Sequence, residues 1–206
     1  MIDFLSFEEG RTVAPLEPVL PEPPKEPSNP FLSKASDEWY TDSELADMGH
    51  ELMGGIDLDP ASSALANETI RATRYFTEDD NGLMQPWNCG RLWLNAPGTL
   101  VPEFWRKFVD EYLAGTFKQG LWIGFNIQQL QTLQNVHRTH PLHFPFCVPH
   151  LRRQFFNPLK PDADSPTHAN FIAYAGPLRM QATFKRIFSR IGDVVIPARL
   201  LITPED

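Results

Sequence analysis

The chain has 206 residues, of which 42% are hydrophobic, and its formal net charge is −8. This length and composition predict one domain with a sizeable buried core. The two cysteines lack the spacing of a disulfide framework, the acidic start MIDFLSFEEG argues against a secretion signal, and no apolar run approaches the length of a membrane span. We therefore expect a cytoplasmic protein with no membrane partner.

The charges are unevenly distributed along the chain. Residues 37–111 carry 15 acidic and 5 basic side chains, whereas residues 150–202 carry eight basic and three acidic ones. An acidic half followed by a basic half favours a pocket for a cationic cofactor and a separate surface that faces a polyanion such as DNA. A chance asymmetry of solvated charges is the alternative interpretation.

The first 36 residues are rich in proline. Seven of the 20 prolines lie here, in APLEPVLPEPPKEPSNP. Because proline cannot join helix or sheet hydrogen bonding, residues 1–36 are predicted to form an extended, polyproline-like or disordered arm. Such an arm can act as a spacer or as a segment that binds another protein.

A domain is predicted over residues 37–202, followed by a short tail, 203–206. Its first helix lies in TDSELADMGHELMGG. Thr41 and Glu44 have the spacing of a capping box, and Gly54 ends the helix.

Strands and helices alternate along the rest of the domain. Strands are predicted in GIDLDPASS, RLWLN, LWIGFN, LHFPFCV, RRQFFN, NFIAYA and DVVIPARLLI. Helices are predicted in SSALANETIRATRYF, capped by Ser62 or Ser63, in VPEFWRKFVDEYLAG, in IQQLQTLQNV and over about Leu178 to Ile191. In the second of these, Phe104, Phe108 and Leu113 fall on or near the inner face. The alternation predicts an α/β domain with a mostly parallel sheet and helices on both faces.

Two of the predicted strands end on polar side chains that precede a turn. The first contains Asp57 and Asp59, and the second ends at Asn95. Because the carboxyl ends of parallel strands line the ligand crevice of an open α/β sheet, we expect both ends at one site. A carboxylate there can bind the ribose hydroxyls of an adenosyl cofactor, and the asparagine can accept a hydrogen bond from an amine. Strand alternation places both aspartates on one face, and Asp59, beside the turn, is favoured as the ribose ligand.

Five segments, in order, resemble the phage-type DNA N-6-adenine methyltransferases, the Dam family of bacteriophages and prophages. They are DEWYTD, GIDLDPASSALAN, YFTEDDNGLMQPWNCGRLWLNAPG, PHLRRQFFNP and SPTHANFIAYAGP, and the match covers most of residues 37–196. The third segment contains Asn95-Ala96-Pro97-Gly98 at the position of the family's Asn-Pro-Pro-Tyr motif.

This resemblance implies a Rossmann-like, S-adenosylmethionine-dependent methyltransferase fold, with adenine in DNA as the substrate and the cytoplasm of a host bacterial cell as the location. The side chain of Asn95 and the backbone carbonyl at Ala96 would accept hydrogen bonds from the adenine amine, on the turn that Pro97 holds. Both bonds favour the positive charge that develops on nitrogen during transfer. The target base must leave the duplex to reach the methyl group.

The resemblance assigns the cofactor to the segment GIDLDPASS. Asp57 or Asp59, together with Pro60, would contact S-adenosylmethionine, and Asp80 would reach its adenine ring. A solvated turn is the alternative role for Asp80. The glycine-rich turn that is common in methyltransferases is replaced here by serines, Ser62 and Ser63.

The DNA-binding residues implied by the resemblance include one departure. Gly98 stands where the family has an aromatic residue that stacks on the flipped base, and losing that contact costs roughly 1–3 kcal/mol. Candidate replacements for the missing ring are Trp87, Trp93, Trp105 and Phe125. Arg152 and Arg153, in the basic half, are predicted to contact DNA phosphates.

The divergent motif leaves two alternatives open. One is a catalytically degenerate methyltransferase-like module that binds DNA or a host protein, for example to counter restriction, with the proline-rich arm as a candidate binding segment. The other is an enzyme that methylates a different amine.

A run of potential metal ligands lies near the middle of the chain. His137, His140, His143, Cys147 and His150 crowd fourteen residues. Their spacing does not match a known finger pattern, and the alternating apolar residues around them are typical of a strand and its turn. No metal site is predicted.

Overall fold

The computed structural model describes residues 41–124, 127, 129–133, 136, 143–151, 153 and 170–198. The predicted arm over 1–36 and the tail over 203–206 lie outside the described residues. So does the predicted strand RRQFFN, apart from Arg153, which is not in a strand.

Seven strands form one mixed sheet in the order β2-β1-β3-β4-β6-β5-β7. They are β1 (Leu58–Asp59), β2 (Arg74–Tyr75), β3 (Arg91–Leu94), β4 (Gln119–Gly124), β5 (Phe146–Pro149), β6 (Phe171–Ala175) and β7 (Gly192–Val195). The pairs β1–β2, β1–β3 and β3–β4 are parallel, and β6 is antiparallel to both β4 and β5. Because β7 is antiparallel to β5, five strands share one direction while β6 and β7 run the opposite way. The α/β class is confirmed, and the sheet is parallel only in its first half.

Helices cover both faces of this sheet, as predicted. They are α1 (Ser43–Met53), α2 (Ala64–Ile70), α3 (Val101–Leu113), α4 (Gln129–Leu133) and α5 (Gln181–Phe188). Successive strand residues alternate between two buried clusters: Leu92 and Leu94 pack on the side of α3, and Trp93 packs on the side of α1 and α5. The sheet is therefore the middle layer of three.

The start of α1 differs from the prediction. Asp42, not Thr41, is the N-cap, and its side chain accepts a hydrogen bond from the Leu45 amide at 2.9 Å. Thr41 is buried one residue earlier. The end of α1 is as predicted, because Gly54 adopts the left-handed conformation with φ of 75°.

Two other helices also differ from the sequence prediction. Ser63 caps α2, which stops at Ile70 because Arg71 turns left-handed, so the predicted continuation of this helix through Phe76 is wrong. The two-residue strand β2 replaces it. In α3, Leu113 is 43% exposed and Tyr112 takes the inner position instead.

The sheet order contains a switch point at β1. β2 lies on one side of β1 and β3 on the other, so the chain reverses its direction across the sheet at β1. In open α/β sheets, ligands bind outside the carboxyl ends of the strands at such a switch point. Here that point adjoins Asp59 and Asn95.

Candidate functional site

Three polar side chains lie at the carboxyl edge of the sheet, on the face that α1 covers. They are Asp59 at the end of β1, Asn95 directly after β3, and Asn170 directly before β6. The strand residue that adjoins each of them packs on the opposite, α3 side: Leu58, Leu94 and Phe171, respectively. Because β6 is antiparallel to β4, its first residue pairs with Gly124 at the end of β4, which brings Asn170 to the same edge.

Asp59 is 2% exposed, and one carboxyl oxygen accepts a hydrogen bond from the Ala61 amide at 3.1 Å. Burial raises the pKa of Asp59 to about 7, although the Ala61 amide and the Ser62 hydroxyl act in the opposite direction. Among the ion pairs of the described residues, none involves Asp59. A buried carboxyl without a cationic neighbour is suited to a ligand that brings positive charge.

Asp57 has a different environment, near the opposite edge of the sheet. Its carboxylate accepts hydrogen bonds from the backbone amides of Gly90 and Arg91, at 3.0 and 2.9 Å, and forms an ion pair with the Arg91 guanidinium. The hydrogen bond from Arg91 lowers the pKa of Asp57. The guanidinium packs so closely over Gly55, where φ is 138°, that a Cβ there would lie 2.7 Å from it. The structure thus gives Asp57 a role in holding β1, β3 and the end of α1 together.

The loop 76–87 covers the turn that follows β1. A Cβ at Gly82 would lie 1.8 Å from the Pro60 carbonyl oxygen, so only glycine allows this approach. The Trp87 indole donates to the Gly82 carbonyl at 2.8 Å and anchors the loop. Asp80 is exposed, and its carboxylate accepts from the amide and the hydroxyl of Thr77, at 2.8 and 2.7 Å. Asp80 therefore stabilises an exposed turn, which is the alternative to a cofactor contact that the sequence left open.

Asn95 is half-buried, and its side-chain amide donates to the Thr41 hydroxyl at 3.4 Å. This contact ties the end of β3 to the start of α1. The Ala96 side chain packs on the α3 side, and Pro97 leads into a 3-10 turn, Gly98–Leu100, that continues as α3. The abrupt stop of the strand at Asn95 is therefore a strand-to-helix turn.

Arg153, predicted to contact DNA, is instead bound to the start of α1. Its guanidinium donates to Asp42 at 3.0 and 2.7 Å and to Glu44 at 2.7 Å, and 17% of its side chain is exposed. Although burial lowers it, these hydrogen bonds raise the pKa of Arg153 overall. Its backbone amide donates to Asn170 at 2.8 Å. Arg152 lies outside the described residues.

Asn170 and Thr41, which no sequence motif marks as site residues, also lie at this edge. Asn170 is 2% exposed, and its side-chain amide nitrogen has no hydrogen-bond partner among the described residues. Its only sequence signal is a polar residue before the apolar run FIAYA. This signal becomes informative only when the direction of β6 is known. Because β6 runs antiparallel to β4, the start of β6, and not its end, lies at the carboxyl edge of the sheet.

The tryptophans considered as replacements for the stacking ring are core residues. Trp87, Trp93 and Trp105 are each 0% exposed. Phe125 lies outside the described residues. The three tryptophans therefore cannot present a ring face to a base without unpacking the core.

The run of histidines and Cys147 is only partly described. Cys147 is fully buried, burial raises the pKa of its thiol to about 12, and His150 is paired with Asp193 at the surface. His137 and His140 lie outside the described residues. Within the described ranges, no group of three or more potential metal ligands occurs.

Another concave surface follows α3. It is an open groove of about 520 Å³ between Leu83 and the charged outer face of the helix, from Glu103 to Ala114. It contains neither Asp59 nor Asn95. We therefore place the functional site by the polar residues at the sheet edge rather than by this groove.

Comparison with protein-family models, with curated proteins and with solved structures found no match to this chain. No helix in the described ranges is long and apolar enough to cross a bilayer. Functional inference therefore depends on the sheet edge itself.

Proposed function

We propose that this chain transfers a methyl group from S-adenosylmethionine to the exocyclic amine of adenine in DNA. The observation that carries the proposal is the pairing of Asp59 and Asn95. They lie at the carboxyl ends of adjacent parallel strands, on one face, at the point where the sheet order reverses. One supplies a buried carboxyl for a cationic adenosyl cofactor, and the other an amide oxygen for an amine.

The residues at β1 fit the cofactor by charge and by hydrogen-bonding capacity. An ionised carboxylate accepts about four hydrogen bonds, and the one hydrogen bond described for the Asp59 carboxyl comes from the Ala61 amide. The remaining capacity suits ribose hydroxyls. The positive charge of the sulfonium favours the ionised form of Asp59, which burial alone disfavours.

The bound cofactor would supply an electrophilic methyl group. The adenine nitrogen would take this methyl group in exchange for the bond to the cofactor's sulfur, and one amine proton would pass to solvent. Asn95 accepts a hydrogen bond from the amine and thereby stabilises the positive charge that grows on nitrogen. Its contact with Thr41 at 3.4 Å holds the amide in place beforehand.

The test is a calorimetric titration with S-adenosylmethionine followed by a tritium-transfer assay on DNA of mixed sequence. Asn95→Ala should abolish transfer and leave cofactor affinity nearly unchanged, since the lost interaction strengthens in the transition state. Asn88→Ala, at an exposed asparagine, is the matched control and should retain both properties. A wild-type protein that binds no S-adenosylmethionine would overturn the proposal.

A second candidate is a degenerate methyltransferase-like module that binds DNA or a host protein. The observation that favours it is the burial of Trp87, Trp93 and Trp105, which removes these three candidates for the stacking ring that Gly98 lacks. Gly98 is not among the described residues with positive φ, so a tyrosine fits its backbone conformation. Cofactor binding without transfer, with activity restored by Gly98→Tyr, would support a decayed enzyme. Transfer by the wild-type protein excludes this candidate.

A further inference from the structure

We propose that the side-chain amide of Asn170 binds a ring nitrogen of the target base, and so helps to select adenine. The inference rests on the proposed function and adds a residue on β6 to the base pocket. It follows from the placement of Asn170, from its amide nitrogen, which has no partner among the described residues, and from the order of strands between it and Asp59.

Of the two polar atoms in the Asn170 side chain, the oxygen has a hydrogen-bond partner among the described residues and the nitrogen does not. The oxygen accepts from the Arg153 amide at 2.8 Å, which fixes the orientation of the amide group. The nitrogen at the other end has no partner among the described residues, although Asn170 is 2% exposed. A buried donor without an acceptor is costly, so a ligand atom that accepts from it gains the corresponding free energy.

The strand order separates this donor from the cofactor. Along the sheet the order is β1, β3, β4, β6, so Asn95 lies between Asp59 and Asn170. With the cofactor's proposed place at β1 and the amine bound at Asn95, the sheet order leaves β4 and β6 on the side of Asn95 away from the cofactor, where the rest of the base can extend. Among the residues that the structure describes, Asn170 is the buried polar side chain on that side.

The span between the two asparagines suits one heterocycle. They are two strand spacings apart, which is about 10 Å across the sheet. Two hydrogen bonds of about 2.9 Å leave room for one ring system between the amides. In adenine, the ring nitrogens N1 and N7 flank the amine and are both acceptors. An oxygen acceptor at Asn95 for the amine and a nitrogen donor at Asn170 for N1 or N7 match this pattern.

The hydrogen bonds of Arg153 keep Asn170 in position. Arg153 binds Asp42 and Glu44 at the start of α1 through its side chain, and Asn170 through its backbone. Thr41, next to Asp42, contacts Asn95. Contacts with the start of α1 thus fix the positions of both asparagines relative to each other. Recognition of one base requires such preorganised side chains.

The experiment changes the base and the residue together. Tritium transfer is measured on three DNA preparations in which every adenine is ordinary adenine, 7-deazaadenine or 1-deazaadenine. Asn170→Asp is the paired variant, because it keeps the oxygen that accepts from Arg153 and removes the amide donor. The wild-type protein should lose roughly 10- to 100-fold in kcat/KM on one deaza substrate, and Asn170→Asp should be about equally slow on that substrate and on ordinary DNA.

The outcomes separate this inference from the proposed function. Equal wild-type rates on all three DNAs would overturn the role of Asn170 and leave the methyltransferase proposal intact. No transfer to any of the three would overturn both. Where Asn170→Asp fails to fold by circular dichroism, equal wild-type rates on the deaza substrates would still overturn the inference. An Asn170→Asp variant that keeps the full wild-type sensitivity to the deaza substitution would also contradict the inference.

Discussion

Asp59 lies at the candidate site and, in its ionised form, opposes folding. Its carboxyl is buried, and its pKa is raised to about 7, above an ordinary value of 3.8. Between these values the native state holds a proton that the unfolded chain has released. Stability that is fully present below about pH 4 is therefore lost as the pH rises toward 7. A residue with that effect on stability is expected where ligand binding requires it.

We expect Asp59→Asn to remove this pH dependence. Since one pKa unit corresponds to about 1.4 kcal/mol, the variant should exceed the wild type in unfolding free energy by up to about 4 kcal/mol at pH 8, and by little at pH 4. Urea denaturation of both proteins from pH 4 to 8 measures the difference. Subtracting the two curves cancels the opposite contributions of Glu51 and Asp57, whose pKa values are lowered by hydrogen bonds from arginines.

The same variant should bind S-adenosylmethionine at least about tenfold more weakly at pH 8, because a charge-assisted contact is lost. A difference curve that is flat with pH would mean that Asp59 titrates normally. Unchanged cofactor affinity in a stabilised variant would remove Asp59 from the site while leaving its burial intact.

At the scale of elements, the sequence predicted the strands better than the helix ends. β3 and β6 were predicted because continuous apolar runs mark buried strands. The cap of α1 was misplaced because Thr41 and Asp42 both suit an N-cap, and the choice depends on Arg153, which is 111 residues away along the chain. The strand β2 is too short to produce a periodic pattern.

The candidate site could be placed from the sequence in part, for a related reason. The positions of Asp59 and Asn95 at one edge could be predicted because each lies where a strand of the parallel half ends. Asn170 was missed because the direction of β6 is a property of the whole sheet. Asp57 was misjudged because Arg91, which neutralises it, becomes its neighbour only when β1 and β3 pair.

The close contact of the loop 76–87 with the turn after β1 leads to a prediction at this scale. A Cβ at Gly82 would lie 1.8 Å from the Pro60 carbonyl oxygen, and that atom belongs to the backbone beside Asp59. Gly82→Ala should therefore push the loop or the turn away, lower the unfolding free energy by about 1–3 kcal/mol and weaken S-adenosylmethionine binding. Urea denaturation and calorimetry measure the two effects.

Gly115→Ala is the matched control for this variant. Gly115 has a φ of 73° and open space where a Cβ would be, so alanine there causes backbone strain of about 1 kcal/mol without a clash. It follows α3, away from β1, and should leave cofactor affinity unchanged. Equal loss of affinity in both variants would show that reduced stability, and not the position of the loop, weakens binding.

At the scale of the molecule, the uneven charge distribution motivates a DNA-facing surface, but the structure assigns some of its cations to internal pairs. Arg153 binds Asp42 and Glu44, while Arg186 and Arg190 both bind Glu51. These pairs join the basic half of the chain to the acidic α1. A count of charges along the sequence therefore overstates the positive charge that remains for DNA phosphates.

The two adjacent arginines should accordingly behave differently in DNA binding. Arg152→Ala is expected to weaken binding and to reduce the slope of log affinity against log salt by about 0.9, as loss of one phosphate contact requires. Arg153→Ala should leave that slope unchanged and lower the unfolding free energy by about 1–2 kcal/mol, because two carboxylates of α1 lose a partly buried partner. Arg179→Ala, at an exposed position, controls for the change in net charge. Equal slope changes in the Arg152 and Arg153 variants would instead show that Arg153 leaves α1 to bind DNA.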